Sequence, residues 1–207
     1  MPRCKTCKDK FIPKYFNQKN CFNTHECIAA EVERKKKVKQ KDWNREKKVR
    51  KEALKTRGEW FKDLQTEINK IARLIDRGHP CMMCDNNNMK RINGCHYHSV
   101  GSSPALRFNL INVWAGCHKC NVELGGNIPG FDIQLMDTYG RDFWESIKFN
   151  LVKDHPYLGL NISEVQDKIK IARVIVKELS KMDVILSNDN RIAFRKKYNK
   201  RLGIYDN

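Results

Sequence analysis

Four cysteines in two tight pairs, Cys81-x2-Cys84 and Cys117-x2-Cys120, are the residues whose type and spacing most directly imply chemistry. Each pair can fill two corners of a tetrahedral zinc site, and the segment between them is long enough to form a hairpin. A redox CxxC would need a thioredoxin-like βαβ setting, and the flanking sequence has no such pattern. Inside the frame lie Cys95, His96, His98 and Asn112. Just beyond it come Asn121, Glu123 and Asn127, where a helix could begin. A histidine on the first strand of a hairpin, facing a helix that offers Asn and Glu, can do hydrolytic work. His96 would take a proton from water. A hard divalent cation would stabilise charge on the leaving oxygen, and cations such as Lys119 would hold flanking phosphates. The competing reading makes His96 a structural residue of a zinc ribbon. For His98 and His118 the structural reading is preferred, with His118 placed to contact phosphate.

A second cysteine set occupies the first thirty residues: Cys4-x2-Cys7, then Cys21 and Cys27, with Phe11, Tyr15, Phe16 and Phe22 between them. So short a segment cannot build a core without a metal clip. A small zinc knuckle on four cysteines is expected. His25 stands inside the looser second pair as an alternative ligand, and reduced, unligated cysteines in a flexible arm are the remaining reading.

The elements that must position these groups follow from pattern. Between residues 33 and 57 there are thirteen Lys and Arg against four acids, with no Pro or Gly. Most of these residues favour helix. This is a long solvated helix, either a charged spacer or an arm laid along phosphates through Lys35, Lys36, Lys37, Lys47, Lys48, Arg50 and Lys51. Trp60, Leu64, Ile68, Ile71, Leu74 and Ile75 recur at helical spacing and predict a core helix over 59–77, stopped by Gly78 and Pro80. Phe131–Phe149 predicts another amphipathic helix. Ser163 with Gln166 reads as a capping box opening a helix to Lys181. The stretch from Arg191 to Arg201 is basic again.

The 207 residues carry 41 basic against 24 acidic side chains, a net charge of +17, which favours a polyanionic partner such as nucleic acid. No signal-like apolar segment follows Met1, and no apolar run reaches the length of a membrane span. A cytoplasmic protein with reduced thiols and no membrane partner is expected. In that setting clustered CxxC pairs point to metal.

The order Cys-x2-Cys, His96, Asn112-x4-Cys-x2-Cys, Asn121 resembles the zinc-stapled branch of the HNH (ββα-metal) endonucleases. The resemblance implies His96 as general base, Asn112 as the residue that fixes the loop and orients it, and Asn121 as a ligand of a catalytic Mg²⁺ or Mn²⁺. Two residues depart from that pattern. Cys95, a soft donor, stands where the family often has a hard ligand, and Glu123 would offer an oxygen where a His-Lys pair is usual.

The N-terminal cysteines, the basic helix, Leu106-Arg107-Phe108-Asn109 and Cys120-Asn121 followed by Gly126-Asn127 extend the likeness. Over residues 1–185 the chain is similar to the NinG (Rap) proteins of lambda-like phages. That similarity implies a recombination endonuclease acting on D-loops and Holliday-type junctions in the host cytoplasm. Symmetric junction cleavage would favour a homodimer.

The expected architecture is α+β and mainly helical. It comprises a knuckle at 1–30, a basic arm at 31–57, an HNH-like ββα-metal core at 58–130 and a helical region at 131–207. One or two structural zinc ions are expected. A non-catalytic zinc-finger DNA-binding protein is the alternative, and an RNA-binding zinc ribbon the weaker third reading.

Overall fold

A computed structural model describes residues 1–87 and 91–205. The chain is mainly helical with one two-stranded antiparallel sheet, and it divides into two compact units, Met1–Lys55 and Thr56–Asn207.

In the first unit, helix α1 spans His25–Ala53. It starts earlier than expected, inside the knuckle, because Thr24 accepts a hydrogen bond from the Cys27 amide and caps it. Cys27 is thus a first-turn residue. After Glu31 no residue of α1 is buried, so about 30 Å of basic helix stands in solvent. Its surface ion pairs, Lys37–Glu33 and Arg50–Glu46 at 3.7 Å each, add little.

The second unit begins with α2, Arg57–Ile75, opened by a capping box between Thr56 and Glu59. Leu64, Ile68, Ile71 and Ile75 of the predicted stripe are buried together with Ala72, while Trp60 and Leu74 are partly buried against the same core. Strands β1 (Ile92–His96) and β2 (Val113–Cys117) pair antiparallel, with His96 opposite Val113 and Cys95 opposite Trp114. One face of this hairpin lies on α2. Gly94 is required there, because a Cβ would meet Asn69 Cα at 2.9 Å. The other face carries Cys95 and Trp114 into a second core with Phe131 and Leu135.

Helix α3 spans Ile128–Tyr139, and the expected single helix over Phe131–Phe149 is broken after it. Gly140 sits at φ 86°, a region that favours glycine, and α4 (Arg141–Glu145), a π-helical turn (Ser146–Asn150) and α5 (Leu151–Asp154) follow. The four-residue rhythm of Phe131, Leu135, Tyr139, Phe143 and Ile147 runs straight through this break, which is why periodicity alone reads one element. Helix α6, Ile162–Ser180, packs on α2, and its capping box is Asn161 with Glu164 rather than Ser163 with Gln166. Helix α7, Asn188–Leu202, closes the core with Tyr198 and Leu202.

The expected basic tail is partly interior. Arg191 and Arg195 are buried, and both meet buried Asp76, at 2.9 and 2.7 Å. Asp76 also accepts the Ala115 amide of β2 at 2.8 Å. Among the described residues no helix is long and apolar enough to cross a membrane.

The start of α3 rests on the loop between Cys81 and Cys84. Asn127 Nδ2 donates to the Met83 carbonyl at 2.7 Å, and a Cβ on Gly130 would lie 2.1 Å from that same oxygen. Gly130→Ala is therefore expected to cost about 1–3 kcal/mol, because backbone rather than a flexible side chain must move. Urea unfolding checks this, and an unchanged midpoint would refute the close approach.

Candidate metal centres and hairpin site

The two cysteine quartets each converge. In both Cys4, Cys7, Cys21, Cys27 and Cys81, Cys84, Cys117, Cys120 the Sγ atoms all lie within 4.8 Å of one another. A tetrahedral zinc with Zn–S near 2.3 Å needs sulfurs about 3.8 Å apart. Cys84 to Cys117 is 3.8 Å, Cys4 to Cys27 3.7 Å and Cys7 to Cys21 3.6 Å. Amide hydrogens point at the sulfurs: Cys117 N to Cys81 Sγ at 3.1 Å, Cys120 N to Cys117 Sγ at 3.4 Å, Cys21 N to Cys4 Sγ at 3.2 Å. Such donors favour the thiolate, the form that binds metal. At Cys4 burial pushes the thiol up, but the amides of Cys21, Cys7 and Thr6 outweigh it and bring it down to about 6, whereas at Cys81 burial outweighs the Cys117 and Met83 amides and the thiol rises to about 11. Both quartets can bind zinc. The converging N-terminal set takes Cys27 and not His25, which is exposed in the first turn of α1.

Glu31, absent from the sequence reading, ties the knuckle to α1. Its buried carboxylate accepts from Tyr15 Oη (2.6 Å), from the Asn20 amide and Nδ2 (3.0 Å each) and from Arg34. Burial alone would raise its pKa, but Arg34 and Tyr15 hold it down, to about 2.

His96 ends β1, and its Nε2 lies 2.9 Å from the Arg107 carbonyl. A carbonyl only accepts, so Nε2 carries the proton and Nδ1 is the basic nitrogen. Burial holds the imidazole below the ordinary histidine range, against the opposite pull of that carbonyl, so it is neutral at pH 7. Fully buried Asn112 acts on the loop and not on the His96 ring. Its Oδ1 accepts the His98 amide at 2.8 Å, and its Nδ2 donates to the His98 and Leu106 carbonyls at 3.0 and 3.2 Å.

Asn121 lies in a π-helical turn, Lys119–Glu123, that follows β2. It lines a cavity of about 390 Å³ with Asn69 and Arg73 of α2, Asn93 and Gly94 of β1, and His118. His96 is not in that lining. It follows Gly94 on the same strand face, about 7 Å further along. Glu123 and Lys119 are exposed outside the lining, and buried Cys95 is on the opposite strand face. Cys95 stays out of the zinc quartet, and its buried thiol is pushed well up. Among the described residues no third group of His, Cys, Asp or Glu side chains converges on a metal-sized space.

Sequence reasoning missed Asn69 and Arg73, which read only as the polar face of α2. It also missed Asp132, which accepts the Tyr97 hydroxyl, Trp144 Nε1 at 2.6 Å and Lys148 Nζ at 3.0 Å. That carboxylate ties the segment after His96 to α3 and to the turn beyond it. No local signal marks a pair so far apart in the chain.

The sequence family described as "Bacteriophage Lambda NinG protein" matches residues 1–183, a span that takes in both cysteine quartets, the hairpin and α6. The chain belongs to the NinG family. It is 31% identical over 162 residues to protein ninG of Escherichia phage 933W, covering 72% of this chain and 80% of the relative. To the ninG protein of Escherichia phage lambda it is 31% identical over 165 residues, with the same coverage. To that of Salmonella phage P22 it is 31% identical over 155 residues, covering 67% of this chain and 75% of the relative. No solved structure matches the chain.

Proposed function

We propose that this NinG-family chain is a structure-specific DNA endonuclease of the HNH (ββα-metal) kind, acting on branched recombination intermediates such as D-loops and Holliday-type junctions. The observation that carries the reading is His96. A neutral imidazole, held through Nε2 by a backbone carbonyl, ends the first strand of a hairpin whose far end is fastened by four cysteines. Nδ1 is left to accept a proton from water. Asn112 fixes the loop that supplies the anchoring carbonyl, and zinc at Cys81, Cys84, Cys117 and Cys120 holds the register.

A catalytic Mg²⁺ or Mn²⁺ would polarise the phosphate and stabilise the leaving oxygen. Magnesium needs few protein ligands and takes the rest from water and phosphate. Asn121 offers one oxygen at the edge of the hairpin cavity and Glu123 a nearby exposed carboxylate, so the fit is partial. The chain's own part is the base, the loop that aims it, and cations for the flanking phosphates. Lys119 adjoins the hairpin, while Lys35, Lys36, Lys37, Lys47, Lys48, Arg50 and Lys51 are all exposed on α1. Binding of this kind reads charge and shape more than base sequence.

The test is a synthetic four-way junction, with linear duplex as control, incubated with the zinc-loaded protein and Mg²⁺ or Mn²⁺. Wild type should cut the junction in preference to duplex, and His96→Ala should lose about 10²–10⁴-fold in rate while binding the junction normally. Equal cleavage by the variant would refute the assignment of the base. Junction binding with no cleavage by wild type would favour a second reading, a non-catalytic zinc protein that binds DNA. The thin oxygen ligand set around Asn121 is the observation that speaks for it.

A further inference from the structure

A cavity of about 450 Å³ in the second unit has a lining that shares no residue with the hairpin cavity. Its walls combine Arg57, Phe61, Arg107, His155 and Tyr157 with Ser102, Ser103 and apolar Val, Pro, Ala and Leu side chains, and among the described residues no carboxylate lines it. The Arg57 guanidinium lies 4.8 Å from the Phe61 ring centroid, and that of Arg107 lies 5.7 Å from it. Arg57 is anchored by donation to the Leu160 carbonyl at 3.1 Å. Arg107 donates only through Nε, to Gln65 at 3.3 Å, so neither of its terminal nitrogens has a hydrogen bond among the described residues. Both nitrogens stay open to solvent, so they can donate to an anion without first breaking a bond within the protein.

Tyr157 is a tyrosine left 82% exposed at the rim. Gly159 makes room for it, because a Cβ there would fall 2.6 Å from the Tyr157 ring.

We infer that this cavity receives an unpaired nucleobase of the bound DNA, with the adjoining phosphate on Arg107 and Arg57. Planar cations and aromatic rings offer stacking faces to any base. The apolar wall and the volume suit one small planar ligand. A lining without carboxylates among the described residues suits the negative charge of the adjoining phosphate. Arg107 also places the cavity: its carbonyl holds His96 while its side chain lines the cavity. A base taken up here would lie beside the scissile phosphate, as the unpaired position of a branch does and a continuous duplex does not. A paired base would first have to leave its stack, which costs a few kcal/mol. The inference rests on the reading that the chain acts on DNA.

The test uses the full zinc-loaded chain with no Mg²⁺ or Mn²⁺, so binding is measured without cleavage. Fluorescence anisotropy compares a labelled twelve-nucleotide dT strand with an abasic strand of the same length and phosphate count. Wild type should bind the base-bearing strand about tenfold tighter. Tyr157→Ala should bring that ratio close to one and leave abasic binding unchanged, and Tyr157→Phe should restore it. Zinc content and melting temperature of the variants control for folding. A ratio near one for wild type, or an unchanged ratio in Tyr157→Ala, would overturn the inference. So would failure of wild type to bind either strand. Base preference without junction cleavage would remove the nuclease reading and leave the cavity assigned. Cleavage without base preference would do the reverse.

Discussion

Cys81→Ser is expected to lower bound zinc from two ions per chain to one and to cost the Thr56–Asn207 unit several kcal/mol of stability. A structural zinc site contributes its binding free energy to folding, on the order of 10 kcal/mol in small domains, and losing one thiolate forfeits part of it. The loss is compounded here because Cys81 Sγ also accepts the Cys117 amide, across the hairpin end that a zinc ion in this quartet would fasten. The informative control is Cys95→Ser. Cys95 is buried on the zinc side of the hairpin, and a Cβ on Gly116 would touch both its sulfur (2.8 Å) and that of Cys81 (3.6 Å). Yet it stands outside the quartet, so Cys95→Ser should keep two zinc ions and lose only the cost of a buried hydroxyl, about 1–3 kcal/mol. Elemental analysis and thermal melting separate the cases. Two zinc ions in Cys81→Ser, or one in Cys95→Ser, would contradict the ligand set.

Asp76→Ala should be the most damaging change away from metal. It leaves Arg191 and Arg195, both buried, without their countercharge, and strips the Ala115 amide of its acceptor. Removing one partner of a buried ion pair costs about 3–5 kcal/mol, more than the pair itself is worth. In urea this should move the midpoint down by roughly 2 M. The same residue predicts a pH dependence. Burial alone would raise the Asp76 pKa, but Arg195 and Arg191 hold it below the ordinary carboxylate range. Its contribution is complete above the unfolded value, near 3.9, and is lost as pH falls through the lower folded value. Wild type should therefore lose stability steeply below about pH 4, and Asp76→Ala should show a shallower slope there. Equal slopes would mean that Asp76 is not ionised in the folded protein.

What the sequence makes legible divides by range. Both zinc quartets depend on short-range spacing, and the α2 stripe on periodicity, so both could be read before any fold was known. The hairpin followed from the need to bring two CxxC pairs together. Polar partnerships across long stretches were invisible. Nothing near Asp76 points to Arg191 and Arg195, which read as part of a basic, exposed segment until their partner is seen. Likewise Asn69 and Arg73 belong to the polar face of a core helix, and only strand packing through Gly94 turns that face into a cavity wall. The break at Gly140 was hidden because the apolar rhythm continues across it, and conformational freedom at a glycine has no periodic signature. The capping box at Asn161 and Glu164 was missed for a plainer reason. Two overlapping cap patterns lie two residues apart, and only backbone geometry chooses between them.

The reach of Asp76 along the chain also sets an order of assembly. In the first unit the four converging cysteines all lie within 23 residues of one another. That unit can close as soon as its short segment exists, with metal present. In the second unit the carboxylate that braces β2 finds Arg195 only 119 residues later. Until α7 has been synthesised, Asp76 lacks both of its ion-pair partners. Loop closure over such a distance is slow compared with local contacts. A nascent chain can therefore complete its N-terminal unit well before the second unit has every partner of Asp76.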